Sequence, residues 1–284
     1  MVFNYDPALP LRFEEYASAE KDGYTVKDVS YASPYGGNVP AYLVVPNGRG
    51  PFPAVVFMHP GQGNRQTFLA EAESLASKGV LSLLIDAPFL RREVPTDLSE
   101  EQKLAGIVET VVDIQTYIQT VVDLRRGIDL LSSFDHVDVQ RMMYVGHSLG
   151  ATWGGVLAGV EKRVKGYALL AGFSSVSEWH QMSEHPLAAL IRHYLPKERF
   201  ADFISKLAPL DSVHYVKNAA PAALFFQFAD HDEFVSKHQA ETFFAVASSP
   251  KDRRWYETDH LFTKCEAALQ DRMEWLLRQL GMEE

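Results

Sequence analysis

Apolar residues fall into two rhythms along the chain. Short runs rich in β-branched and aromatic side chains recur at 24–31, 39–45, 54–58, 80–85, 142–145, 167–171, 222–228 and 253–256. Runs of that length, bounded by turn residues, predict strands. Between the later runs, the segments 67–78, 100–133, 151–159, 237–247 and 261–280 carry apolar residues at three- and four-residue intervals. That spacing predicts helices with one buried face. The longest series is Ile107, Val111, Ile114, Ile118, Val121, Leu124, Ile128 and Leu131, read as one amphipathic helix.

The order of these elements sets the expected architecture. The first two strands flank the turn-rich Ser33-Pro-Tyr-Gly-Gly-Asn38 and predict an antiparallel hairpin, whereas the later strands alternate with helices and should pair in parallel. The expected fold is therefore α/β, a mostly parallel eight-stranded sheet with helices on both faces. Residues 173–216 break the alternation, with short helical stretches interrupted by Pro186, Pro196 and Pro209, and predict a small helical lid insert. No repeat, low-complexity tract or Gly/Ser-rich linker divides the chain, so a single domain over 1–284 is expected. In such sheets ligands bind beyond the carboxyl ends of the strands, which directs attention to the residues just after each one.

Composition narrows the function classes. With 46% hydrophobic residues in 284 there is ample material for a large core, and a formal net charge of −10 argues against nucleic acid as a partner. The N-terminus lacks a basic stretch followed by an apolar run, and no apolar run approaches the ~20 residues of a membrane span. A cytoplasmic protein without a membrane partner is expected. The single cysteine, Cys265, rules out an internal disulfide or a cysteine-based zinc cage and agrees with a reducing compartment. It lies four residues after Leu261 in the expected last helix, as a small buried hydrophobe.

The strongest chemical signal is Gly146-His-Ser-Leu-Gly150, set between an expected strand and an expected helix. A sharp strand-to-helix turn lifts a serine hydroxyl clear of the sheet but crowds the positions two before and two after it, where Gly146 and Gly150 stand. Ser148 is thus the candidate nucleophile, and the N–H of Leu149 a candidate oxyanion donor at the start of a helix. A hydroxyl needs a base and a group to orient that base, following in acid-then-base order. The strand 222–228 runs into Ala229-Asp-His-Asp-Glu-Phe-Val235, where Asp230, Asp232 and Glu233 compete. Asp232 fits best, sitting in the turn just ahead of Phe234 and Val235. His260 follows the last strand, 28 residues further on, and is the favoured base over His231, His238, His180, His185 and His193. His147 reads as a packing residue of the elbow. A second oxyanion donor is expected from His59-Pro-Gly-Gln-Gly63; Pro60 has no N–H, which leaves Gly61 and Gln62. His59 itself reads as a loop brace, with no partner at metal-ligand spacing, and no metal or cofactor is expected.

Taken together, His59-Pro-Gly-Gln-Gly63, Gly146-His-Ser-Leu-Gly150, Asp232 and His260 resemble the α/β-hydrolase superfamily over roughly 24–280. Within it, Val122-Asp-Leu-Arg-Arg-Gly-Ile-Asp129 ahead of Val137-Asp-Val-Gln-Arg141 is similar to the dienelactone hydrolase-like and acetyl esterase branch. The resemblance implies cofactor-free hydrolysis of a small-molecule carboxylic ester. It also implies an acid in a Gly-x-x-Asp-x-x-Val pattern, which 229–235 match with Ala229 in the glycine position, again selecting Asp232. Dienelactone hydrolases proper carry a cysteine nucleophile, and the usual His-Gly pair is His59-Pro60 here. A serine peptidase or amidase of the same fold and a non-catalytic binding protein on such a scaffold are the alternatives. The insert's Phe173, Trp179, Met182, Leu187, Leu190, Tyr194, Phe200 and Phe203 could line an apolar acyl pocket. Arg91 or Arg92, following a strand on the functional edge, could meet a substrate carboxylate, but exposed arginines near an acidic surface are ordinary and that is the favoured reading of both. At helical spacing the insert's apolar residues read first as the insert's own core.

Overall fold

A computed structural model describes residues 2–92 and 97–283. Its centre is one sheet of nine strands: β1 (Glu14–Glu20), β2 (Tyr24–Ala32), β3 (Asn38–Pro46), β4 (Phe52–Met58), β5 (Leu81–Ile85), β6 (Val137–His147), β7 (Val164–Leu170), β8 (Ala223–His231) and β9 (Lys251–Asp259). They are ordered β1-β2-β3-β5-β4-β6-β7-β8-β9. Pairing is antiparallel from β1 through β3 to β5 and parallel everywhere else. The sheet therefore has nine strands rather than the expected eight. The additional one, β1, is an edge strand exposed along its whole length with the polar sequence EEYASAE, so it carries no hydrophobic alternation.

The parallel strands read as continuous apolar runs because both faces are covered. Along β4, Ala54, Val56 and Met58 join a core with Val121, Leu124 and Leu157, while Val55 and Phe57 point to a second core with Leu75, Trp275 and Leu276. The first layer is built by α3 (Ile114–Ser132) and α4 (Leu149–Val160), the second by α1 (Leu69–Ala76) and α9 (Glu266–Gln279). Beneath the second layer Arg272 of α9 reaches Glu71 of α1 through two bonds of 2.9 and 2.6 Å, and Gln227 of β8 at 2.7 Å.

Two helical expectations change. The segment 100–133 forms two helices, α2 (Glu100–Val111) and α3, because Asp113 takes the N-cap position and accepts from Gln115 N at 3.0 Å. Its apolar series runs across this break, yet Ile107 is 45% exposed whereas Val121, Leu124, Ile128 and Leu131 are buried. The last helix begins at Glu266, leaving Leu261 exposed and Cys265 half-buried as the N-cap residue rather than within the helix. Between β7 and β8 the chain forms α5 (Val176–Met182), α6 (Pro186–Tyr194), α7 (Lys197–Leu207) and three short 3-10 turns. This stretch is pinned by buried Asp211, which accepts from Val176 N (2.8 Å), Ser177 N (3.1 Å) and Ser175 Oγ (2.7 Å). The remaining helix, α8 (Lys237–Val246), joins β8 to β9.

Candidate active site

Ser148 stands between the end of β6 and the first residue of α4 with φ 55° and ψ −116°, a conformation costly for any residue with a Cβ. The neighbouring glycines make this turn possible. A Cβ on Gly146 would lie 2.4 Å from the carbonyl oxygen of Gly150, and one on Gly150 would lie 2.3 Å from that of Met58. The Ser148 N–H is itself taken by Leu170 O at 2.7 Å, so the elbow is tied to the adjacent strand β7.

His260 follows β9, three strands away from β6 on the same sheet edge. Its Nε2 lies 2.8 Å from Ser148 Oγ, and its Nδ1 lies 2.8 and 2.9 Å from the two oxygens of Asp232. Asp232 Oδ1 also accepts from the N–H groups of Phe234 (2.8 Å) and Val235 (2.7 Å), which fix the carboxylate after β8. A carboxylate only accepts, so Nδ1 carries the imidazole proton and Nε2 is free to accept from the serine hydroxyl. Ser148 and His260 are buried.

Two contacts that the sequence did not announce hold the histidine. The Phe234 ring lies 4.6 Å from the His260 ring. The His147 Nε2–H donates to the His260 carbonyl at 2.7 Å. Burial, followed by the proximity of His260, pushes the His147 imidazole down to about 4, so it is neutral near pH 7. Its place beside the serine in the motif was the available signal, but its partner 113 residues away was not.

The other candidates lie elsewhere. Asp230 and Glu233 are exposed, His231 pairs with Glu257, and His238 lies 3.9 Å from Glu178. His185 caps α6 by accepting from Leu187 N at 3.2 Å, His180 packs against Phe203, and His193 is exposed. Gly61, Gln62 and Leu149 line one cleft together with Ser148, Gly61 close against the Leu149 side chain. Leu149 opens α4, so its N–H has no acceptor within the helix. His59 braces the loop that carries Gly61: Ala87 N–H donates to its Nε2 at 3.1 Å, and its Nδ1–H donates to Pro60 O at 2.7 Å.

Arg91 is neither exposed nor a substrate contact: it is committed to the protein, bonding buried Asp123 and the Asp86 carbonyl at 2.7 Å each. Arg92 is at the cleft but pairs with Asp113 and, at 2.9 Å, with Thr116. The residues 93–95 of that loop lie outside the described residues. The cleft encloses about 790 Å³ beside Ser148. Phe173, Trp179 and Leu187 line it, whereas Met182 and Tyr194 point to solvent and Phe203 is buried in the main core. Much of the wall comes from outside the insert, from Phe89, Tyr117, Trp153 and α2. Among the described residues no group of three or more His, Cys, Asp or Glu is placed to hold a metal, and no helix is long and apolar enough to cross a membrane.

Residues 4–252 match the family model described as Acetyl xylan esterase (AXE1). The fold is also that of solved structures at low identity. An acetyl xylan esterase from Paenibacillus sp. R4 is 20% identical with a TM-score of 0.76, covering 94% of this chain and 88% of that one. Acetyl xylan esterase 1 from Thermoanaerobacterium sp. JW/SL YS485 is 16% identical with a TM-score of 0.78, covering 98% and 91%. A candidate dienelactone hydrolase from Klebsiella pneumoniae is 17% identical with a TM-score of 0.65, covering 89% and 98%.

Proposed function

Since the chain belongs to the acetyl xylan esterase family and is a serine-type carboxylic-ester hydrolase of the α/β-hydrolase fold, we propose that Ser148, His260 and Asp232 perform the hydrolysis. The observation that carries this reading is the continuous line of hydrogen bonds from Ser148 Oγ through the imidazole to the Asp232 carboxylate.

In the first half-reaction Ser148 Oγ attacks the ester carbonyl carbon while its proton passes to His260 Nε2. The carbonyl π electrons move onto oxygen, where the N–H of Leu149 and that of Gly61 or Gln62 receive the charge. As the tetrahedral adduct collapses, the C–O bond to the alcohol breaks and His260 returns the proton to the leaving oxygen. Water then repeats the sequence on the acyl-enzyme, transferring a proton to His260 and releasing the acid and free Ser148. Asp232 holds the tautomer throughout and stabilises the imidazolium. The helices between β7 and β8 serve as cover in the same single domain, and the lone cysteine supports a cytoplasmic setting.

A fluorophosphonate reports an activated serine directly. Wild type is expected to be labelled at Ser148 and to hydrolyse p-nitrophenyl esters, with both signals falling to background in Ser148→Ala. Label retained by Ser148→Ala moves the nucleophile elsewhere. A folded wild type that neither labels nor turns over any ester points to a binding scaffold.

A further inference from the structure

The imidazole of His59 controls one peptide unit beside the reacting serine. Its Nε2 accepts from Ala87 N–H at 3.1 Å, so the ring proton sits on Nδ1, which donates to Pro60 O at 2.7 Å. Pro60 C=O and Gly61 N–H belong to one planar trans unit and point in opposite directions. Holding the carbonyl therefore sets the direction of the Gly61 N–H. The Gln62 N–H lies in the next peptide unit, which His59 does not bond.

His59 is in turn held by the chain that follows β5. Ala87 precedes a 3-10 turn, Pro88–Arg91, whose Phe89 ring stands edge-on to the His59 ring at 6.0 Å. Just past the Gly61 loop, Arg65 N–H donates to Asp86 Oδ1 at 2.7 Å, so the loop meets the same segment at both of its ends.

Arg91 anchors that segment. Its guanidinium donates to the Asp86 carbonyl, closing the turn on itself, and to the Asp123 carboxylate of α3, each at 2.7 Å. The Asp123 side chain is fully buried and that of Arg91 is only 14% exposed, so water and salt screen the pair little. Asp123 is tied to the sheet as well, its backbone carbonyl accepting from Tyr31 Oη at 2.8 Å. We propose that Arg91 and Asp123 are positioning residues of the hydrolysis, which act through the 86–91 turn and His59 to aim the Gly61 N–H at the oxyanion. The proposal rests on the esterase reading above and names the support of its oxyanion site.

The double variant Arg91→Met, Asp123→Leu removes the tie without stranding a charge, an exchange that is often neutral for stability. A donor that is loosened should cost less than the 10²–10³ of a donor removed, so kcat is expected to fall about 30-fold. KM should stay within about two-fold of wild type and the unfolding midpoint close to it. An aryl trifluoromethyl ketone, whose adduct with the serine carries an oxyanion, should lose affinity by the same factor as kcat. Arg91→Lys keeps a charge beside Asp123 but gives up the planar fork that joins both acceptors, and should show the same split at about five-fold. Wild-type kcat in either folded variant, a loss confined to KM, or a fall in kcat with ketone affinity unchanged overturns the inference and leaves the esterase standing. A wild type that hydrolyses no ester and takes no fluorophosphonate defeats the esterase reading itself, and this inference with it.

Discussion

The side chain of His147 and the backbone carbonyl of His260 are joined by a 2.7 Å hydrogen bond, so the residue before the proposed nucleophile fixes the backbone of the proposed base. His147→Phe keeps a ring in the space but leaves that buried carbonyl unpaired. Losing such a bond costs ~1–3 kcal/mol where the group is stranded, and 1.4 kcal/mol is ten-fold in rate. We expect kcat to fall about ten-fold with KM changed less than two-fold, and His147→Gln to recover part of the loss. Steady-state kinetics on one ester decide this; a change confined to KM contradicts a role in placing His260.

Asp232 both braces its turn and, in the proposed mechanism, orients His260, and one substitution separates the two. In Asp232→Asn the amide oxygen still accepts from Phe234 N and Val235 N, so the turn survives. The amide NH₂ then faces His260 Nδ1 and favours the tautomer with the proton on Nε2, which cannot accept from Ser148. The expected loss is on the order of 10⁴ in kcat, as in other Ser-His-Asp sites. The unfolding midpoint should stay close to wild type, and activity within ten-fold of wild type would contradict the assigned role.

Burial gives stability a definite dependence on pH. His147 and His180 are both held down to about 4, chiefly by burial, with Arg192 adding to the effect at His180. Unfolded imidazoles take up their proton near pH 6.5, so between these values the unfolded chain binds more protons than the folded one. The stabilisation is fully present above about pH 6.5 and is lost as pH falls towards 4, by up to ~1.4 kcal/mol per pH unit for each histidine. Urea unfolding at pH 7.5, 6 and 5 measures the slope, and His180→Gln is expected to make it shallower. A wild-type stability that is level between pH 7 and 5 refutes the assignment.

Arg272 and Glu71 form an ion pair that is nearly out of contact with water. Arg272→Met strands the Glu71 carboxylate in the second core and is expected to cost ~3–5 kcal/mol in urea unfolding. The double variant Arg272→Met, Glu71→Gln should recover part of that loss, because no unpaired charge remains. Equal losses in the single and double variants would show that packing, not the charge, is at stake.

How much of this was legible in the sequence depended on what each feature leaves behind. A buried strand leaves an apolar run, and β2 to β8 were located by theirs, while β9, largely exposed, was placed by its Trp255 and Tyr256. The edge strand β1 buries neither face and left nothing to find. The period through 100–133 continued across Asp113 because both helices happen to keep the same spacing, and only the cap reveals the break. Ser148, Asp232 and His260 could be singled out because each directly follows a strand and their chain order is constrained by the sheet. The cleft had no such signature. Phe89, Tyr117 and Trp153 meet there from separate segments, so the insert alone overstated its share of the wall.

Helix α2 is joined to the rest of the molecule by little. Val108 is its one buried residue, packed in a small cluster with Ile191 and Leu195, and at the cleft Glu109 meets Arg199 in an exposed ion pair at 2.5 and 2.7 Å. The face it turns to the cleft therefore belongs to neither of the two cores that hold the sheet. Substitutions at 103, 106, 107 and 110 are expected to reshape the cleft while leaving both cores and the Ser148–His260–Asp232 line in place. Selection for a new substrate and selection for a stable enzyme act on different residues, so diet can change across descendants of this sequence while the reaction stays the same.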